Sequence, residues 1–282
     1  MLKIAIPNKG QLADPTQKLL REAGYLRSHH PRDLVVSDPE NDVEFFFLRP
    51  RDVATYVGEG TLDFGITGKD LLLDSKSKAN SIMDLGFGQS SFRIAMPSIK
   101  DTKDISSLNN LRIATSYPNI LKDWLTKSGL KAEIVVLDGA VENAVRLGVA
   151  DAVADVVDTG TTLKQAGLVI LGEPILQSQA VLLKGKNTKD SIETVNFIRR
   201  VSSVLVAREY VMVDYDIEQF KVEQASKITP GIESPTISPL HESGWVAVRA
   251  MTKRKEMHKV MDELYAIGAK GVIVTEIMAC RL

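Results

Sequence analysis

Residues 151–163, DAVADVVDTGTTL, put two carboxylates and a run of hydroxyl and glycine residues into one short stretch. An apolar strand carries Asp155 and Asp158 near its carboxyl end, and Thr159, Gly160, Thr161 and Thr162 then open a helix. Backbone N–H groups of a glycine-containing turn at a helix start cradle phosphate, and the hydroxyls add donors. An acid just upstream can accept ribose hydroxyls or help hold a Mg2+ ion bridged to phosphates. The carboxyl ends of strands are also where open α/β sheets bind ligands. The same residues suit an ordinary strand–turn–helix with threonine caps and a solvated aspartate. Four small or hydroxyl residues behind two acids tilt the reading towards phosphate.

Other strand-to-helix turns carry related chemistry. Lys9, in Pro7-Asn8-Lys9-Gly10, can meet an anion as a point charge, or be a plain surface lysine. Arg49, in Arg49-Pro50-Arg51-Asp52, follows the apolar run VEFFFL. Its planar donor fork matches phosphate or diphosphate, and it could equally pair with Asp52 or Asp63. Asp70 closes a third turn, GITGKD, and TSYPN at residues 115–119 forms a fourth. Glu142 lies in the first turn of an expected helix, where compensation of the helix dipole also accounts for it at under about 1 kcal/mol. Each signal alone is weak. Their joint occurrence at strand ends is what a cleft between two lobes requires.

The elements that must position these residues follow from hydrophobic pattern. Strands are expected at residues 2–6, 43–48, 62–66, 92–96, 111–114, 132–137 and 152–157, with helices near 52–57, 70–73, 119–127 and 140–147. Asp14-Pro15 reads as a helix start and Gly24 as its stop. This alternation gives an α/β fold with mostly parallel sheet in two layers. The polar segment 98–107 marks the entry to a second lobe. The chain is expected to return to the first near residues 180–183, ahead of a long helix over 190–206. The last third reads as strand 210–214, helix 217–226, extended piece 234–239, strand 245–250, helix 254–267 and strand 271–276, the β-α-β-β-α-β order of a ferredoxin-like unit. The expected domains are 1–90 plus 180–208, 91–179, and 209–282.

Composition narrows the class. The 282 residues include 35 Lys+Arg against 36 Asp+Glu, so the basic excess of a nucleic-acid-coating protein is missing. With 44% apolar residues a core can form. The single cysteine, Cys280, makes neither an internal disulfide nor a multi-cysteine zinc site and fits a reducing compartment. No secretory signal or membrane-length apolar run is present, so a cytoplasmic protein without membrane contact is expected. The histidines, His29, His30, His241 and His258, have no metal-ligand spacing. No GxSxG elbow, phosphate-binding GxxxxGK[ST] loop or GxGxxG fingerprint occurs, which disfavours hydrolase, nucleotide-hydrolysing and dehydrogenase readings.

Taken together, IPNKGQL, FFFLRPRDVATYVGEGTLDFGITGKDLL, RIATSYPNILKDWL, LDGAVENAVRLGVADAVADVVDTGTTLKQAGL and TPGIESPTISPL resemble the ATP phosphoribosyltransferase family, essentially end to end. The TPGIESPTISPL segment and the last 70 or so residues resemble its long form, which carries a C-terminal regulatory domain. The resemblance implies a two-lobed, periplasmic-binding-protein-like catalytic part. It implies Mg2+-dependent condensation of ATP with 5-phosphoribosyl 1-diphosphate to N1-(5-phosphoribosyl)-ATP and diphosphate, the first step of histidine biosynthesis. Residues 155–162 would hold the 5-phosphate and ribose. Lys9, Arg49 and Asp70 would lie near diphosphate, Mg2+ or adenine, and Glu142 near the ribose. No protein ligand set for the metal is implied, since the substrate phosphates would hold most of it. The resemblance further implies feedback inhibition by histidine at Asp216, Ile232, Ser234, Thr236, Met251 and Gly271, possible AMP binding, and a change between dimer and hexamer. From local sequence Asp216 equally suits a helix cap. Rival readings are a two-lobed solute-binding protein, a phosphoribosyltransferase for another base, and a purely regulatory amino-acid-binding protein.

Overall fold

The computed structural model describes residues 1–26, 30, 32–97, 104–158 and 160–281. The chain divides into two compact units, Met1–Lys18 with Leu26–Thr194, and Leu19–Tyr25 with Val195 onward. Its elements run Leu2–Pro7 (β1), Ala13–Glu22 (α1), Val35–Asp38 (β2), Val43–Leu48 (β3), Pro50–Glu59 (α2), Phe64–Gly68 (β4), Lys69–Asp74 (α3), Asn80–Asp84 (β5) and Ser90–Pro97 (β6). Then come Arg112–Thr115 (β7), Pro118–Ser128 (α4), Glu133–Val136 (β8), Asn143–Arg146 (α5), Ala152–Val157 (β9), Thr161–Gln165 (α6), Leu168–Ser178 (β10), Ala180–Lys184 (β11) and Ile192–Glu209 (α7).

The first unit holds two sheets. One has the order β2-β3-β1-β4-β11-β5 and the other β10-β6-β9-β7-β8. In the first, β1 runs parallel to β3 and β4, with Pro7 opposite Leu48. In the second, β7 runs parallel to β8 and β9. The chain leaves the first sheet after β5 and returns through β10 into β11, which lies antiparallel between β4 and β5. Where the two connections meet, Ala180 N–H donates to Phe87 O and Leu85 N–H donates to Ala180 O, each at 2.9 Å.

Helix α2 shows why the helices sit where they do. Pro50 opens it, and Gly60, in the left-handed region at φ 77°, closes it. Val53, Ala54 and Val57 pack on Ala5, Val181 and Leu183 of the sheet. The helix rides so close that a Cβ at Gly65 would lie 2.6 Å from Val53 Cγ1. That packing fixes the amino end of α2, and with it Arg49 and Arg51, at the carboxyl edge of β3.

The second unit contains the C-terminal elements Tyr210–Glu218 (β12), Val222–Ile228 (α8), Thr236–Pro239 (β13), Trp245–Lys253 (β14), Met257–Ala266 (α9) and Lys270–Glu276 (β15). Their antiparallel sheet, ordered β13-β14-β12-β15, is the ferredoxin-like arrangement. Burial alternates strictly along β12. Val211, Val213, Tyr215 and Ile217 bury with Ala225, Val260 and Leu264 of the helices, while Met212, Asp214 and Asp216 point to the opposite face.

Several expectations change. β12 continues to Glu218 because its register with β14 persists to Trp245, so the helix expected from Ile217 begins only at Val222, after a 3-10 turn. Asp216 therefore sits inside a strand and caps no helix. Helix α1 starts at Ala13, which places Asp14 in its first turn and not at its cap. The helix expected over 140–147 shrinks to Asn143–Arg146. Residues 98–103 of the expected linker lie outside the described residues. Among the described residues no helix is long and apolar enough to cross a membrane.

Candidate active site

Three parallel strands of the first sheet end side by side. The Pro7–Leu48 register, extended by Asn8 N–H donating to Leu48 O at 2.8 Å, sets Lys9 and Arg49 at adjacent strand ends. Both are exposed and neither has an ion-pair partner among the described residues. Next to them β4 runs into α3 and delivers Asp70. This carboxylate is only 6% exposed. Ser178 Oγ donates to it at 2.9 Å, and the Asp70 backbone N–H donates back to Ser178 Oγ at 3.0 Å. Gly68 makes room for it, since a Cβ there would lie 2.2 Å from Asp70 Oδ1.

The second sheet presents its own carboxyl ends. β7 leads to Tyr117, β8 to Glu142, and β9 to Asp155, Asp158 and the Gly160 turn. Tyr117 is the meeting point. Burial, with the carboxylates of Asp70 and Asp155 close by, pushes its hydroxyl pKa far above the usual range. The Arg51 guanidinium lies 4.9 Å from the centre of the Tyr117 ring. Asp155 is pushed up to about 6, first by burial and further by Glu142 and Asp70, while the Val156 N–H and Arg51 pull it down. Asp70, Tyr117, Arg51, Asp155 and Glu142 thus form one electrostatic neighbourhood assembled from both sheets.

Gly160 adopts φ 75° as the residue before α6, and its buried position lets the backbone approach closely. Thr161 and Thr162 follow in the first turn of α6, exposed, as is Asp158. Thr159 lies outside the described residues. Sequence reasoning named Arg49 and passed over Arg51, Tyr117, Asp74 and Ser178. The arginine of that motif that forms a salt bridge is Arg51, to Asp74 at 3.2 Å, and not Arg49 to Asp52 or Asp63. The one signal for Arg51 was its place beside Arg49 in the same turn.

In the C-terminal sheet, Asp216 Oδ2 lies 3.8 Å from where a Cβ at Gly271 would stand, and Gly271 has φ 57°. Thr236 and Met251 lie on the same open face, opposite Arg249 and Met212 respectively. Ile232 and Ser234 sit in the turn before β13, and no described contact joins them to Asp216.

A two-sheet α/β protein with cations and hydroxyls gathered at its strand ends is a binder of small phosphorylated molecules, here joined to a ferredoxin-like module. Residues 49–206 match the family model described as HisG: ATP phosphoribosyltransferase, and residues 207–279 the model described as HisG, C-terminal domain. Curated proteins named ATP phosphoribosyltransferase from Paenarthrobacter aurescens and Salinispora tropica are each 53% identical, with all of both chains covered. The solved ATP phosphoribosyl transferase (HisG:HisZ) complex from Thermotoga maritima is similar at 27% identity and a TM-score of 0.64, covering 73% of this chain and 99% of that one. The chain belongs to the ATP phosphoribosyltransferase family. Its activity is the condensation of ATP with 5-phosphoribosyl 1-diphosphate, which opens histidine biosynthesis, and the solute-binding and other-base readings fall away.

Proposed function

We propose that the strand-end cluster of the first unit is where this condensation occurs, with the roles divided between its two sheets. The turn of Gly160, Thr161 and Thr162 takes the 5-phosphate of the donor through backbone N–H groups and hydroxyls. Asp155 accepts the ribose hydroxyls, with Glu142 beside it. Lys9 and Arg49 meet the diphosphate, and Asp70, held by Ser178 beside Tyr117, lies towards adenine. The observation that carries this reading is the convergence of Asp70, Tyr117, Arg51, Asp155 and Glu142 from the strand ends of both sheets.

Adenine N1 forms a bond to the anomeric carbon while the bond from that carbon to the diphosphate oxygen breaks, the electron pair leaving with diphosphate. Positive charge grows on the sugar ring and negative charge on the leaving group. The chain's work is to align the two substrates and to neutralise the leaving group. Among the described residues no group of three or more His, Cys, Asp or Glu could hold a metal ion. This reading includes a Mg2+ ion held mainly by substrate phosphates, to which the Asp155 and Glu142 carboxylates would add oxygen donors. Such an ion would supply charge neutralisation at the diphosphate.

We place histidine, as a feedback inhibitor, on the open face of the C-terminal sheet, with Asp216 facing its amino or imidazolium group and Gly271, Thr236, Met251, Ile232 and Ser234 around it. A change from dimer to hexamer and binding of AMP at the nucleotide position belong to the same reading, as does a cytoplasmic setting. Three structural divisions accompany it: residues 1–90 with 180–208, residues 91–179, and residues 209–282.

The test is diphosphate release and near-ultraviolet absorbance on mixing the protein with ATP, phosphoribosyl diphosphate and Mg2+. Lys9→Ala and Arg49→Ala should each lower turnover on the order of 100-fold. Both side chains are exposed, so stability should move by no more than about 0.5 kcal/mol. Wild-type turnover in both variants would remove the leaving-group assignment.

A further inference from the structure

Asp74, the last residue of α3, has no place in the roles above, yet it is 4% exposed and every acceptor it offers is engaged. Oδ1 accepts from the backbone N–H of Asn119 at 2.9 Å and of Ile120 at 3.2 Å. Oδ2 accepts from Arg51 Nη1 at 3.2 Å. The Asp74 carbonyl accepts from Asn119 Nδ2 at 2.8 Å. Helix α4 begins at Pro118, and its capping residue, Tyr117, supplies no side-chain cap. The first-turn N–H groups of α4 would otherwise be orphaned. Asp74 therefore caps, across the gap in sequence, a helix that belongs to the other sheet.

The same carboxylate aims a cation. Arg51 is half exposed, with one edge of its guanidinium on Asp74 and one face on the Tyr117 ring. A long side chain at a helix start would otherwise sample many rotamers. Two fixed contacts leave it in one orientation near Asp155, with donors still free for an anion.

We propose that Asp74 is a positioning residue for phosphoribosyl transfer: by gripping Arg51 and the amino end of α4 together, it holds the Arg51 guanidinium ready for the phosphates of the bound substrates. This rests on the strand-end reading of the active site given above.

Asp74→Asn is the informative change. Its amide oxygen can still accept from the α4 N–H groups, but its NH2 faces the Arg51 donor and breaks that link. In the full-length protein we expect kcat/KM for phosphoribosyl diphosphate to fall at least 10-fold. The Arg51→Ala chain should fall at least as far, and the double variant should stay within 2-fold of Arg51→Ala, because both changes remove one device. Losses that multiply in the double variant, or a wild-type Asp74→Asn, would overturn the proposal. A wild-type Arg51→Ala would instead count against the active-site reading itself. A second arm leaves Asp74 untouched. Methylguanidinium added to Arg51→Ala should restore part of kcat/KM with saturation, because Asp74 and Tyr117 still frame its seat. Failure of that rescue would overturn the proposal even if Asp74→Asn does not fold.

Discussion

Asp155 is the residue whose electrostatics most sharply test the site. Burial, with Glu142 and Asp70 close by, raises its carboxyl to about 6, well above the unfolded value. If the ionised form accepts the ribose hydroxyls, kcat/KM should fall as pH drops below about 6, where an ordinary aspartate would hold out to about 4. The stability effect has the opposite sense. The folded state holds this proton more tightly than the unfolded chain, so the favourable contribution is complete below the unfolded pKa and is lost as pH rises through about 6. At pH 7.5 the buried charge costs on the order of 2 kcal/mol. Asp155→Asn should thus melt at the same temperature or higher at pH 7.5 while losing most activity; a clearly lower melting temperature there would show that the ionised form is well accommodated. Asp155, Glu142 and Asp70 were legible in the sequence because each stands where a strand gives way to a helix. Arg51, Tyr117, Ser178 and Asp74 were not, because what defines them lies far along the chain. Ser178 meets Asp70 across 108 residues, and Asp74 meets Asn119 across 45. No local pattern encodes such pairs.

At the level of elements, the junction of β4 and α3 depends on a missing side chain. Gly68 has ordinary extended dihedrals, so an alanine there carries no backbone strain. Its Cβ would nevertheless fall 2.2 Å from Asp70 Oδ1, and the carboxylate would have to swing away from Ser178 and Tyr117. Gly68→Ala should cost about 1 to 3 kcal/mol through the displaced buried carboxylate and lower kcat/KM for ATP roughly 10-fold. Asp70→Ala placed on top of it should lower activity little further; a second full loss in steady-state kinetics would place the Gly68 effect elsewhere. The elements that sequence pattern located well are those with continuous apolar runs, such as VEFFFL in β3 and the strand at 152–157. β2 and β5 escaped notice because they are edge strands with mostly exposed or half-exposed side chains. β10 escaped because Gly172 and Pro174 interrupt it, and its pairing with β6 shifts register between Leu171 and Leu176. The end of β12 was misplaced because only its partner strand reveals that pairing continues through Ile217 and Glu218.

For the whole molecule, the question is whether catalysis and regulation can be separated by cutting the chain. The core of the C-terminal sheet draws its buried members from residues 211–269 alone, so it is a self-contained cluster. Helix α7 keeps its own anchorage without it: Phe197 is fully buried and meets Tyr25 edge-on, with ring centres 5.4 Å apart. Removal of everything after Ala207 would break three hydrogen bonds between the kept and removed parts of the second unit. Arg208 Nε and Nη2 donate to Glu22 Oε2 at 3.0 and 2.7 Å, and Cys280 N–H donates to Ser203 O at 3.1 Å. Each is worth about 1 kcal/mol, too little to unfold two sheets with their own cores. The shortened chain should therefore retain measurable condensation of ATP with phosphoribosyl diphosphate. It should also lose inhibition by histidine and any histidine-dependent growth in particle size, read by diphosphate release and by sedimentation. If the shortened, folded chain is inhibited at the same histidine concentration as the full chain, the effector binds among the first 207 residues, and the open face around Asp216 has another use.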